Sequence, residues 1–246
     1  ICVVFPNKRA RLFFSHYLSE VSDGRPVWAP AYRTITELIG ELSGLVLADK
    51  IQLIFELFSS YKQISGTEEN FDDFYYYSEI LLADFDEIDK NLVNAQDLFK
   101  NLANLKSIDY NYSYLSENQL SAIRQFWSSF SGGKISQTRD DFLKFWELLL
   151  KLYESFKDRL KQKNMAFEGM IYRDVADTIL QDKSLALHFE RYVFVGFNAL
   201  NKCEEILLSH LKKINKALFF WDYDDYYVGH DWHEAGLFVR ENIKRF

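Results

Sequence analysis

Asp222, Asp224 and Asp225 follow directly on an apolar run from Lys216 to Trp221. Carboxylates at the end of a strand are placed to hold Mg²⁺ in phosphoryl transfer. Tyr223, Tyr226 and Tyr227 are interleaved with them, which suits loop packing equally well. Just beyond, His230-Asp231-Trp232-His233-Glu234 sets two imidazoles three residues apart beside carboxylates. A metal site needs three or four converging ligands and a supporting shell. The pattern therefore reads as a polar loop entering a helix, with Asp231 as its cap. Ser131-Gly132-Gly133-Lys134 looks like a phosphate loop cut short, but it lacks the first glycine and has Ile135 where Ser or Thr must meet the metal. It also falls between two helical patterns rather than after a strand, so it reads as a plain turn.

Cations gather in two places. Asn7, Lys8, Arg9 and Arg11, followed by Arg25 and Arg33, give the N-terminal end a basic bias; Lys151, Lys157, Arg159, Lys161 and Lys163 form a second group. Both suit solvated surface or contacts to a phosphate backbone. A run of acids from Asp72 to Asp89 reads as a solvated helix face or as a dock for a basic partner. Several chemistries have no motif here. There is no Gly-x-Ser-x-Gly elbow, no Cys-x-x-Cys and no His-Glu-x-x-His. No lysine has an acid two positions before it, so the Asp/Glu-x-Lys half of the metal-dependent nuclease signature is missing as well. Nothing in these residues calls for a cofactor.

The elements that must position these residues follow from periodicity. Arg191 to Gly196 is a short apolar run closed by a glycine, hence a buried strand. Asn201 to Asn215 has Ile206, Leu207, Leu211 and Ile214 on one helical face, with acids early and lysines late as the helix dipole prefers. Lys216 to Trp221 is the next strand. Strand, helix and strand with short connections make a βαβ unit with parallel strands, whose ligands sit at the carboxyl ends. Ile1 to Phe5, Pro6-Asn7 and Lys8 to Val21 repeat the strand-turn-helix grammar, and a chain that starts inside a strand looks trimmed. Val27-Trp28 and Tyr32 to Ile35 supply one further strand. Thr34 and Glu37 form a capping-box pattern. From there helices are expected over 49–64, 71–93, 94–105, 117–130, 138–164 and 167–180, with a polar-aromatic loop at 111–114, and no convincing strand. The last helix is expected over 232–246. The expected fold class is α/β, from residues 1–35 plus 185–246, with an all-helical insertion over 36–184.

Composition sets the limits around this. The chain has 246 residues, 48% hydrophobic and 26% charged, enough to bury a sizeable core. A net charge of −7 gives no global attraction to nucleic acid, so DNA contact requires a local basic patch. No apolar run approaches the ~18 residues of a membrane span. Cys2 and Cys203, both in apolar settings, fit buried free thiols in a reducing cytoplasm.

Several stretches resemble a known family. Val3-Val-Phe-Pro-Asn-Lys-Arg-Ala10, Trp28-Ala-Pro-Ala31 with Thr34-Ile-Thr-Glu-Leu38, Leu82-Ala-Asp-Phe-Asp-Glu-Ile-Asp-Lys90, Tyr192-Val-Phe-Val-Gly-Phe-Asn-Ala-Leu-Asn201 and Trp221-Asp-Tyr-Asp224 look like the N-terminal region of bacterial PD-(D/E)XK nuclease family proteins, similar to the B subunit of the AddAB helicase-nuclease. The resemblance implies a RecA-like core of the P-loop NTPase and superfamily 1 helicase type, with a helical insertion. It implies work on DNA ends in recombinational repair in the cytoplasm. The implied partners are DNA (single strands or ends) and an AddA-like helicase subunit or a nuclease domain downstream in the same chain. By the same likeness, Pro6 to Arg9 stand at a loop that touches single-stranded DNA, and residues 192–199 stand at the Walker B strand. Gly196 and Phe197 then occupy the place of the two acids that hold Mg²⁺ and orient water in a working motor. The expectation is a helicase fold without motor chemistry, holding or guiding DNA through Asn7, Lys8, Arg9 and Arg11. An alternative is a scaffold for a partner subunit or the downstream nuclease domain. Asp222, Asp224 and Asp225 remain as a possible residual acidic site for nucleotide or Mg²⁺.

Overall fold

A computed structural model describes residues 1–66, 68, 70–99 and 139–246. In chain order the elements are β1 (Cys2–Phe5), α1 (Lys8–Val21), β2 (Ala31–Thr34), α2 (Ile35–Leu42), β3 (Val46–Leu47), α3 (Lys50–Ser65), α4 (Phe71–Lys90), α5 (Arg139–Gln162), β4 (Met165–Ala166), α6 (Glu168–Leu180), β5 (Tyr192–Val195), α7 (Lys202–Lys213), β6 (Ala217–Phe220), α8 (Asp225–Gly229) and α9 (Leu237–Arg245). A 3₁₀ turn, Glu234–Gly236, precedes α9. Contacts divide the chain into two compact units, Ile1–Gly44 with Ile171–Phe246, and Leu45–Met170.

The first unit is built on a four-stranded sheet in the order β2-β1-β5-β6, with every neighbouring pair parallel. Parallel strands need crossovers, and α1 and α7 supply them. The chain steps outward from β1 to β2 on one side and from β5 to β6 on the other. Right-handed crossovers therefore carry α1 and α7 to opposite faces. Register places Val3, Phe5 and Tyr32 on the face of α1, where the Phe14 ring lies 5.4 Å from Phe5 and 6.0 Å from Tyr32. The other face carries Cys2, Val4, Tyr192 and Phe194, all buried. Phe194, Phe219, Trp221 and Phe246 run across it in stacked and tilted contacts.

The capping box that starts α2 forms as expected, the Glu37 amide donating to Thr34 Oγ1 and the Thr34 amide to Glu37 Oε2. Asn201 and Glu204 build the same box on α7. The one further strand expected from Val27-Trp28 and Tyr32 to Ile35 shrinks to β2, Ala31–Thr34. Val27 and Trp28 lie exposed before it, because prolines on both sides of them remove ladder donors.

In the second unit α3, α4 and α5 pack through Leu53, Leu57, Phe74, Phe85, Leu152 and Phe156, all buried. The expectation of no strand in the helical stretch fails in one place. β3 and β4 pair in parallel, Val46 with Met165 and Leu47 with Ala166. Two-residue strands are too short to carry an alternating pattern. The helix over 117–130, the loop at 111–114, the turn at Ser131 to Lys134 and most of the helix over 94–105 lie outside the described residues. So do the side chains of Phe142, Phe145 and Trp146.

The run of acids on α4 is largely the solvated face its charge suggested, with Asp72, Asp73, Glu79, Asp84 and Glu87 exposed, but Asp86 and Asp89 turn inward. Asp89 is fully buried and accepts from Tyr153 Oη at 2.5 Å and Lys157 Nζ at 2.7 Å. Asp86 accepts from the Gly169 amide at the start of α6, and Lys90 bridges Asp86 and Glu168 at 2.7 Å each. Burial alone would lower the Lys90 pKa, but these two carboxylates outweigh it and hold it above the usual lysine range. No helix among the described residues is long and apolar enough to cross a membrane.

Candidate functional site

In an open parallel sheet the chain leaves a crevice where the crossovers turn away to opposite faces. Here that place is the carboxyl end of β1 and β5, where Pro6-Asn7 leads into α1 and Gly196 to Asn201 leads into α7. Asn7 caps α1, its Oδ1 accepting from the Ala10 amide at 3.1 Å. The remaining first-turn amides of α1 then point outward from the sheet edge, as does the positive end of the helix dipole.

Phe5, Lys8, Arg11, Leu12, Arg33, Thr34 and Glu37 line a cleft of about 300 Å³ beside this corner. Lys8 and Arg11 meet there, one turn apart on α1. Arg11 lies over the Tyr32 ring, 5.3 Å from its centroid. Lys8 is solvent-exposed and its Nζ is 3.8 Å from Glu37 Oε1, a loose pairing that leaves its charge available. The Thr34 amide first, and Lys8 more weakly, hold the Glu37 carboxyl below its usual range. Arg9 is exposed on the same turn but does not line the cleft. Arg33, counted with the basic corner from sequence, is held by Glu41 at 2.5 Å.

The second basic group is largely occupied. Lys157 serves Asp89, Arg159 donates to Gln63 Oε1 at 2.9 Å, and Lys163 pairs with Glu56. At the N-terminal corner, by contrast, Lys8, Arg9 and Arg11 are all exposed within the first four residues of α1.

At the tip of β5, Gly196 has φ 72°, the left-handed region that glycine enters without a Cβ penalty. Its amide donates to the Phe220 carbonyl at 3.0 Å. Phe197 is turned into the core, its ring 5.8 Å from Phe194. Neither residue offers an oxygen side chain to a cation.

Asp222, Asp224 and Asp225 follow β6 and are exposed. Asp224 caps α8, accepting from the Tyr226 amide at 2.8 Å. Among the described residues no group of three or more His, Cys, Asp or Glu is arranged to hold a metal ion. Asp231 does not cap the terminal helix. α9 starts at Leu237, and Asp231 instead faces Arg240 Nε at 3.8 Å. Gly236 sets that later start: a Cβ there would lie 2.1 Å from the Tyr227 carbonyl oxygen. Arg240 is a residue that sequence reasoning missed. It is buried and donates to the carbonyls of Tyr227, His230, Asp231 and His233. Its helical position beside Val239 gave no hint of this role. Cys2 and Cys203 are both buried free thiols, as expected.

The fold and this edge define an α/β protein with a four-stranded all-parallel sheet, helical insertions and a cationic cleft at the carboxyl end of β1. Comparison with protein-family models, with curated proteins and with solved structures found no match.

Proposed function

We propose that the chain is a helicase-like module without motor chemistry that holds or guides DNA, with a RecA-like sheet as its core. The resemblance to the N-terminal region of PD-(D/E)XK nuclease family proteins supplies the setting, DNA end processing beside an AddA-like helicase subunit or a downstream nuclease domain. The observation that carries this reading is the corner where Lys8 and Arg11 share a cleft at the start of α1. A strand-to-helix turn with outward amides and two cations suits a phosphate. The tip of β5 argues against ATP hydrolysis, since Gly196 and Phe197 have no carboxylate to hold Mg²⁺ or orient water.

The test is anisotropy of a labelled single strand between about 50 and 200 mM salt. Binding is expected to weaken with salt. The triple variant Lys8→Ala, Arg9→Ala, Arg11→Ala should lower the slope of log K against log salt by about 2, from roughly 0.7 per phosphate contact. Binding that is salt-independent, or unchanged in the variant, removes DNA from the reading.

One observation favours a scaffold as the second reading. Leu218 and Phe220 are 41% and 58% exposed on the α1 face of the sheet, over β6, where no helix among the described residues covers them. Aspartate at Leu218 should then abolish co-purification with the helicase subunit while leaving DNA binding intact.

A further inference from the structure

We propose that the segment from Asp222 to Glu234 is a docking surface for an arginine-bearing, basic peptide segment of a partner protein. Six rings sit in this stretch: Tyr223, Tyr226, Tyr227, His230, Trp232 and His233. Five of them form one connected group. Tyr226 lies 4.9 Å from His230 and 5.4 Å from Tyr227, His233 lies 4.6 Å from Tyr227 and 5.3 Å from Trp232, and Trp232 is 5.7 Å from His230. They are not there to fill a core. Trp232 is 70% exposed and Tyr226 55%.

The charge around these rings is of one sign. Asp222, Asp224, Asp225, Asp231 and Glu234 lie in the same stretch, which contains no lysine or arginine. Asp222, Asp225 and Glu234 make no side-chain hydrogen bond or ion pair among the described residues. Among the described residues the one cation brought to the segment is Arg240, whose guanidinium donates to four backbone carbonyls at 2.7 to 3.2 Å beneath the loop. Those bonds fix the backbone that carries the rings. Gly236 contributes as well, since only a glycine lets the 3₁₀ turn pass so close to Tyr227 and Arg240. The platform is therefore set before any partner arrives, which lowers the ordering cost of binding.

Exposed aromatic faces rimmed by uncommitted carboxylates complement a guanidinium in two ways. The plane stacks on Tyr or Trp, and its N–H groups meet carboxylate oxygens. A nucleic-acid strand would also find rings to stack on, but its phosphates would lie against the five acids. The two ends of the sheet edge thus differ in sign, cationic at β1 and α1 and anionic after β6, and this surface does not depend on the DNA reading.

The experiment uses the whole chain and a labelled peptide of alternating Arg and Gly, followed by anisotropy. Wild type is expected to bind. Trp232→Ala, and separately Asp225→Asn with Glu234→Gln, should each weaken binding roughly five- to tenfold. Lys8→Ala with Arg11→Ala should leave it unchanged. Asp72→Asn with Asp73→Asn on α4 controls for bulk charge. Equal loss in that control, no loss in the two loop variants, or no peptide binding overturns the proposal. So does a single-stranded oligothymidine that binds the loop in preference to the peptide and is released by Trp232→Ala.

Discussion

Asp89 shows what a single side chain can reveal and hide. In the sequence it is one acid among many on α4, and its charge argued for solvent. In the fold it is buried, with the Tyr153 hydroxyl and the Lys157 ammonium both on Oδ1 and bonded to each other at 2.8 Å. A carboxylate enters a core only with such partners. Replacing Asp89 by Asn keeps the volume but leaves Lys157 facing an amide. The expected cost is about 3 kcal/mol, measured by urea unfolding. The double variant Asp89→Asn, Lys157→Met should recover part of it, because the orphaned charge goes too. Cys2 makes a second case. Burial pushes its thiol up to about 11, and the native state favours the protonated form. Its contribution is complete well below the unfolded thiol's pKa of about 8.5–9, where both states are thiols. It falls as pH rises to about 11, because the unfolded chain ionises first. The gap in urea stability between wild type and Cys2→Ala should therefore narrow by roughly 2–3 kcal/mol across that window. A constant gap would mean that Cys2 ionises freely in the fold.

At the scale of elements, the helices and strands with full periods were legible and the close contacts between them were not. β1, α1, α2, β5, α7 and β6 fall where alternation, capping pattern and helix spacing put them. The Asn7-Lys8-Arg11 corner was legible for the same reason, since a strand, a tight turn and a helix fix where the first helical turn must point. The β3–β4 pair, the late start of α9 and the clamp made by Arg240 were not. The strand pair joins residues more than a hundred positions apart, and the other two rest on loop-to-helix contacts whose spacing follows no helical or strand period, so a local pattern carries no information about them. Gly169 belongs with these. A Cβ on it would sit 2.4 Å from the Asp86 carbonyl oxygen and 2.9 Å from the Asp86 Cα, both backbone atoms. Gly169→Ala must push the start of α6 away from α4 and break the amide bond to Asp86. Overpacking of this kind costs about 1–3 kcal/mol, and loss of a charge-assisted bond adds to it. Thermal unfolding should show the variant well below wild type, whereas Gly40→Ala, whose added Cβ would meet nothing within 4 Å, should match wild type or exceed it.

For the molecule as a whole, the two compact units raise the question of whether either needs the other to fold. The first unit closes on itself where the chain departs and returns. Ser43 Oγ donates to Asp174 Oδ2 at 2.7 Å, the Gly44 amide reaches the same oxygen at 3.4 Å, and Thr36 Oγ1 meets Tyr172 Oη at 2.9 Å. The second unit does the same at its own ends, with β3 and β4 paired side by side. A long segment whose ends are already neighbours adds little loop-closure entropy when removed or restored. Replacing residues 45–170 by a linker of about six glycines and serines should therefore yield a protein that keeps the parallel sheet and unfolds in one cooperative step. Circular dichroism and urea titration measure that directly. The shortened protein also retains the cleft of Lys8 and Arg11, so it should bind single-stranded DNA with the salt slope of the full chain. A folded product that has lost DNA binding would move the contact surface into the helical unit, and an unfolded one would mean that the sheet depends on that unit for stability.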